Sequence, residues 1–225
     1  WHQGGRMTVS TYAELKTAIG NYAARGDLTD RADEFIDKVE AKFRRRLRLR
    51  PMEATTTGTM VADTPTIPLP LDFLQVLSFI FDIGSENPRK LEFITPEQGD
   101  ALEYGSSGTP RWYTFVGQAI RIYPTPDSAY DYTIRHYAKF APLSASNTTN
   151  FLLTEYPDAY EYGCYIEACA YLGDIGGQLQ VWVQGFETTM AEIKKSDRCE
   201  RNRTPTMHFD PALLGAGSSN IETDS

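Results

Sequence analysis

"DRADEFIDKVEAKFRRRLRLRP", residues 30–51, decides how the chain is read. Ala32, Phe35, Ile36, Val39, Phe43 and Leu47 recur at steps of three and four, the spacing of a helix with one apolar face. Asp30 suits the N-cap. Acidic residues crowd the first turn and arginines the last, so both ends complement the helix dipole. Pro51 stops the helix. From about residue 52 the apolar spacing changes to the alternation of strands, and it stays so to about 142. This boundary separates a helical part from a β-rich part.

Working outward, "STYAELKTAIGNYAAR", residues 10–25, predicts a first helix. Thr11 and Glu14 have capping-box spacing, so each can satisfy a free backbone donor at the helix start. Gly26 suits the left-handed position after its end. Past residue 52, Pro65, Pro68 and Pro70 exclude a central strand and predict an edge or an extended connection. "FLQVLSFIFDI", residues 73–83, "RKLEFIT", 89–95, and "YDYTIRHYAKF", 130–140, read as strands. "PEQGDALEYG", 96–105, reads as a short helix with Pro96 in its first turn. "PRWYTFVGQAIRIYPTP", 110–126, reads as a hairpin turning at Gly117. These make four or five strands in one antiparallel sheet. Two more helices follow at 155–174 and 178–202, with Tyr160, Cys164, Ala168, Tyr171 and Leu172 lining one side of the former. A short link makes them an antiparallel pair.

The expected fold is therefore α+β: a bundle of about four long helices, an inserted small antiparallel sheet with its hairpin, and an extended C-terminal tail. The divisions are an N-terminal extension 1–9, a helical pair 10–51, a β-rich insertion 52–150, a second helical pair 151–202 and an arm 203–225. No repeat appears at solenoid or propeller periods.

The 225 residues can bury a substantial core, and 41% hydrophobic content is that of a globular chain. A net charge of -8 argues against wrapping nucleic acid, which needs Lys and Arg on phosphates. Cys164, Cys169 and Cys199 form no C-x-x-C pair, which argues against a disulfide framework or a zinc site. The longest apolar run, residues 73–81, is shorter than the roughly 18 residues a membrane span needs. No secretory signal pattern opens the chain.

Catalytic signatures are missing. The histidines are His2, His136 and His208, and His136 has no partner that would make it a general base. There is no nucleophile elbow, phosphate-binding glycine loop, dinucleotide fingerprint or metal-ligand spacing, so no cofactor or metal is expected. A small hydrolase would need a nucleophile beside His136, and nothing in the sequence supplies one.

Two features suit partners instead. Arg44, Arg45, Arg46, Arg48 and Arg50 fall within seven residues. They suit an acidic protein surface or phosphate, or else they are simply a solvated helix end. The tyrosines at 156, 160, 162, 165 and 171 suit either an interface or packing within the chain. The arm 203–225 is polar and rich in Pro, Gly and Ser. It gains order only by burying Met207, His208, Phe209, Leu213 and Leu214 against a partner.

The collinear order of "LPLDFL" (69–74), "PRWYTFVG" (110–117), "NFLLTEYPDAY" (150–160) and "KKSDRCERN" (194–202) resembles the head–tail adaptor (connector) proteins of tailed bacteriophages over about residues 10–203. The resemblance implies a structural, non-enzymatic virion protein at the head–tail junction, assembled in the bacterial cytoplasm. It implies a ring, commonly of twelve copies, under the portal protein. Such a ring joins the capsid to the tail, nozzle or tail terminator, and DNA passes through its lumen without specific binding. Membranes have no part in it. On this reading the hairpin packs partly on the helices, and its turn at Gly117 and Gln118 projects toward the tail. The arm reaches the portal. Obligate ring contacts exceed about 2,000 Å². The alternative is a nucleic-acid-binding module using residues 44–50.

Overall fold

The computed structural model describes residues 9–22, 27–82, 88–102, 107–173 and 177–202. The expectations for Gly26 and for the arm 203–225 lie outside these residues.

Helix α1 spans Tyr12–Tyr22 and α2 spans Asp27–Arg46. The capping box forms: Glu14 N donates to Thr11 Oγ1 at 3.3 Å, and Thr11 N donates to Glu14 Oε2 at 3.0 Å. Helix α2 begins before Asp30, which therefore sits inside the helix instead of capping it. Leu28 is fully buried and extends the apolar stripe by a turn, so packing carries the helix further toward its N-terminus. The C-terminal boundary also moves. The helix ends at Arg46, because Leu47 and Leu49 both turn into the core and no single helical face serves both. A 3-10 turn at Arg50–Met52 follows, with Pro51 inside it.

The β region holds more structure than the single sheet expected. Strands β1 (Glu53–Met60), β2 (Thr66–Pro68), β3 (Phe73–Asp82), β4 (Pro88–Lys90), β5 (Glu92–Phe93), β6 (Ser107–Gly108), β7 (Trp112–Val116), β8 (Ala119–Tyr123), β9 (Thr125–Pro126) and β10 (Tyr130–Ala138) form three sheets. Their orders are β1-β10-β3-β4, β2-β8-β7-β5 and β6-β9. The pairs β5–β7 and β6–β9 are parallel, so the assembly is not wholly antiparallel. The stretch "RKLEFIT" divides at Leu91: its first half pairs with β3 and its second with β7. The proline-rich β2 lies at the edge of its sheet, as its prolines require. Strand β1 was missed from sequence because it is a run of threonines with one large apolar residue, Met60. Its Gly58 has a specific cause: a Cβ there would lie 2.6 Å from the Tyr132 hydroxyl.

The short helix α3 covers Pro96–Ala101, with a capping box from Thr95 to Gln98. The third long helix is α5 (Pro157–Leu172), and a short helix that was not expected, α4 (Phe151–Glu155), precedes it. Pro157 disfavours helical backbone at Tyr156, so the chain breaks there and restarts with Pro157 in the first turn. Asn150 caps α4 by accepting from Leu153 N at 2.9 Å. Helix α6 spans Leu179–Arg201.

Two cores result. The helical core joins Leu15, Ile19, Phe35, Phe43, Tyr160, Phe186 and Met190. The sandwich core brings Phe79, Phe81 and Ile134 of the first sheet against Tyr113, Ile120 and Ile122 of the hairpin. The hairpin thus packs on the first sheet and against the short helix at Pro96–Ala101, where Tyr123 covers Gly99, and not on the long helices. Tyr137, Phe140 and Leu143 carry the chain from β10 into the helical core.

Candidate interaction surfaces

The arginine segment lies where α2 ends against α6. Arg46 forms a two-bond fork with Glu187, Nη1 to Oε1 at 2.7 Å and Nη2 to Oε2. That pairing holds the Glu187 carboxyl below its usual range and raises Arg46. Arg50 donates from Nη2 to Glu200 at 2.5 Å and from its backbone N–H to Asp197 at 2.6 Å. Arg48 Nη1 donates to the Arg44 and Leu47 carbonyls, satisfying acceptors that the helix end leaves free. Arg44 reaches Glu40 at 3.7 Å. Of the five, Arg45 alone is without an ion pair or side-chain hydrogen bond among the described residues. Arg46 and Arg50 tie the end of α2 and the turn after it to α6, Arg44 pairs with Glu40 within α2, and Arg48 is held by local carbonyls.

Glu40 marks the centre of the helical core. It is fully buried. Its Oε1 accepts from Leu143 N at 2.8 Å and from the Tyr160 hydroxyl at 3.0 Å, and Asn150 Nδ2 donates to that hydroxyl at 2.8 Å. Burial raises the Glu40 carboxyl, opposed by these donors and by Arg44. Burial also pushes the Tyr160 hydroxyl well up, with Glu40 adding to it, so it stays a donor. The carboxylate fastens α2, α5 and the loop after β10 to one point. An i,i+4 Glu40–Arg44 pair looks like surface decoration, and only the arrival of Leu143 and Tyr160 from far along the chain reveals the difference.

The tyrosines of α5 find partners within the chain. Tyr165 stacks on Tyr22 at 4.4 Å between ring centres, and Trp182 lies 5.2 Å from Tyr165 and 5.8 Å from Tyr162. Burial pushes Tyr165 up to about 12. Tyr171, expected on the inner side, is half-exposed with the Arg31 guanidinium 4.7 Å over its ring.

The hairpin turn presents Val116, Gly117 and Gln118 to solvent. Gly117 has φ +61 with open space around it, the left-handed conformation a tight turn requires. The Gln118 carbonyl accepts from Leu69 N at 3.1 Å, tying the turn to the proline-rich segment. An apolar strip continues beside it: Phe73 and Phe93 each lie within 6 Å of Phe115. Leu71 is 95% exposed. His136 is buried, stacked on Phe73 at 5.5 Å, and its Nε2 is 3.8 Å from Asp72. Neither of its ring nitrogens has a hydrogen-bond partner among the described residues.

Met207, His208, Phe209, Leu213 and Leu214 lie outside the described residues. Among the described residues, no three His, Cys, Asp or Glu side chains converge where they could hold a metal. No helix among them is long and apolar enough to cross a membrane. The surface offers arginines spent on internal contacts, an apolar strip and a projecting turn. A comparison with protein-family models matches residues 10–208 to the family described as SU10 adaptor protein. A search of the curated proteins finds no match.

Proposed function

The chain belongs to the SU10 adaptor protein family, a phage adaptor family, and on that premise we propose that it is a structural head-to-tail adaptor of a tailed bacteriophage. Copies form a ring, twelve in our reading, beneath the portal. The ring joins capsid to tail, nozzle or tail terminator and continues the DNA channel. The protein works by shape and burial and has no catalytic step. Its place is the virion, after assembly in the host cytoplasm.

The family match across residues 10–208 carries this reading. Two physical features support it. A net charge of -8 per copy, repeated round a ring, repels phosphate and lets DNA pass without sticking. Four of the five clustered arginines are engaged within the chain, which leaves the nucleic-acid alternative short of free cations. The N-terminal helical pair 10–51 and the C-terminal pair 151–202 form the ring body. The β-rich insertion 52–150 carries the hairpin turn at Gly117 and Gln118 toward the tail, Arg45 offers its charge to an acidic partner, and the arm 203–225 reaches the portal.

Co-sedimentation with portal rings tests the proposal. The full chain is expected to sediment with the portal at physiological salt. Truncation after Asn202 is expected to weaken that binding at least tenfold while leaving the urea unfolding midpoint unchanged. A full chain that stays in the supernatant would refute the reading.

A further inference from the structure

The first sheet is closed on its β4 side only in part. Strand β4 pairs with β3 over Ile80–Asp82, and beyond Lys90 the chain crosses to the second sheet. Among the described residues no strand pairs with the remaining edge of β3, residues 73–78. The crossing leaves a groove of about 380 Å³ along this edge, lined by Val76, Leu77, Lys90, Leu91, Phe93 and Tyr113 among others. Leu77 is 37% exposed and Phe93 54% exposed, so two large apolar side chains stand in water there. Arg89 and Lys90 are exposed beside it, and neither has an ion pair among the described residues.

A strand edge without a partner above an apolar floor accepts an extended segment with alternating side chains. Residues 206–210, "TMHFD", have that pattern. Pro205 and Pro211 bracket them, limiting any added strand to five residues, close to the length of the open edge. Met207 and Phe209 fall on one face by the two-residue alternation, and Asp210 supplies the charge that Arg89 and Lys90 lack.

The end of α6 bears on which copy donates the segment. Arg201 Nη2 lies 2.8 Å from the Tyr137 hydroxyl and 2.9 Å from Glu53 Oε1. The chain therefore leaves α6 beside β1 and β10, on the sheet face that carries the helices. The groove opens beyond β3, next to the sandwich core. Residues 202–205 span at most about 14 Å. They would have to cross strand spacings of about 4.8 Å each and then pass round the sheet. A segment from a neighbouring copy can enter the groove from solvent without that detour.

We propose that Thr206–Asp210 of one copy adds as a strand to the open β3 edge of the adjacent copy, seating Met207 and Phe209 in its groove. This rests on the ring reading above. The contact is head-to-tail, the kind that forms a ring when the rotation between successive copies closes. Pro211 then turns the chain outward and leaves Leu213 and Leu214 for the portal.

The test uses the full chain with Ser78→Cys, His208→Cys and Cys199→Ser, assembled on portal rings. Cys164 and Cys169 are buried and do not interfere. In the proposed strand the two-residue alternation would set His208 opposite Met207 and Phe209, as Ser78 is set opposite Leu77 and Phe79, so the two cysteines would face the same side. Oxidation is expected to give a ladder of covalent multimers on a non-reducing gel, absent from either single-cysteine variant. An internally linked monomer, or no new bond in rings that sediment with the portal, would overturn the strand exchange alone. Failure to form rings before oxidation would overturn the proposed function and this contact with it. Independently, Leu77→Arg is expected to raise the concentration needed for ring assembly by about tenfold or more with an unchanged urea midpoint; unchanged assembly would contradict the proposal.

Discussion

At the scale of the residue, Glu40 decides most. A buried carboxylate is tolerated because Leu143 N, the Tyr160 hydroxyl and Arg44 converge on it. Removing it strands donors that have no water to turn to. Glu40→Ala is expected to cost about 3 kcal/mol in urea unfolding, and Tyr160→Phe about 1 kcal/mol. The pH dependence follows from the direction of the shift. The Glu40 carboxyl is raised in the fold, so its contribution is complete below the ordinary carboxylate value and is lost as pH rises through the folded value. Wild type is therefore expected to lose stability relative to Glu40→Gln as pH increases from about 4 to 7, read from the difference in unfolding free energy. Glu187 has the opposite sign. Arg46 lowers it, so its contribution is present above the ordinary value and is lost as pH falls through the lowered one. Both partners are substantially exposed, so Arg46→Ala is expected to cost less than about 1 kcal/mol at neutral pH.

At the scale of the element, close approach explains the position of α5. A Cβ at Gly163 would lie 2.7 Å from Val39 Cγ1 and 3.2 Å from a Phe186 ring carbon. Gly163→Ala is expected to destabilise the chain by about 1–3 kcal/mol, and pairing it with Val39→Ala is expected to recover part of the loss in the same unfolding measurement. The long helices were legible because their apolar residues repeat at three and four over many turns. The hairpin was legible because Gly117 separates two alternating runs. Strand β1 was not, since its threonines carry no clear alternation of apolar and polar and its partner, β10, lies far along the chain. The separation of the two four-stranded sheets was hidden for a related reason. It depends on Leu91, where the Leu91 N–H bonds to the Phe79 carbonyl before the chain crosses over. The role of Glu40 was not legible because its burial is a tertiary fact. Of the candidate site, residues 44–50 were visible as charge, but not their pairing with Glu187 and Glu200 on α6.

At the scale of the whole molecule, an acidic chain with its arginines engaged internally is expected not to hold duplex DNA. Filter binding should show no appreciable retention at physiological salt and no steep salt dependence. Retention that falls sharply with added salt would favour the nucleic-acid reading instead. Family membership over residues 10–208 goes with an α+β body of helical core and β sandwich. The helical core and the β sandwich are joined along the chain where β10 runs on into Tyr137, Phe140 and Leu143 of the helical core. Negative-stain imaging of portal rings incubated with the full chain tests the adaptor role most directly. The account predicts an added ring of density coaxial with the portal and on its tail-facing side; portal particles unchanged by the protein would contradict it.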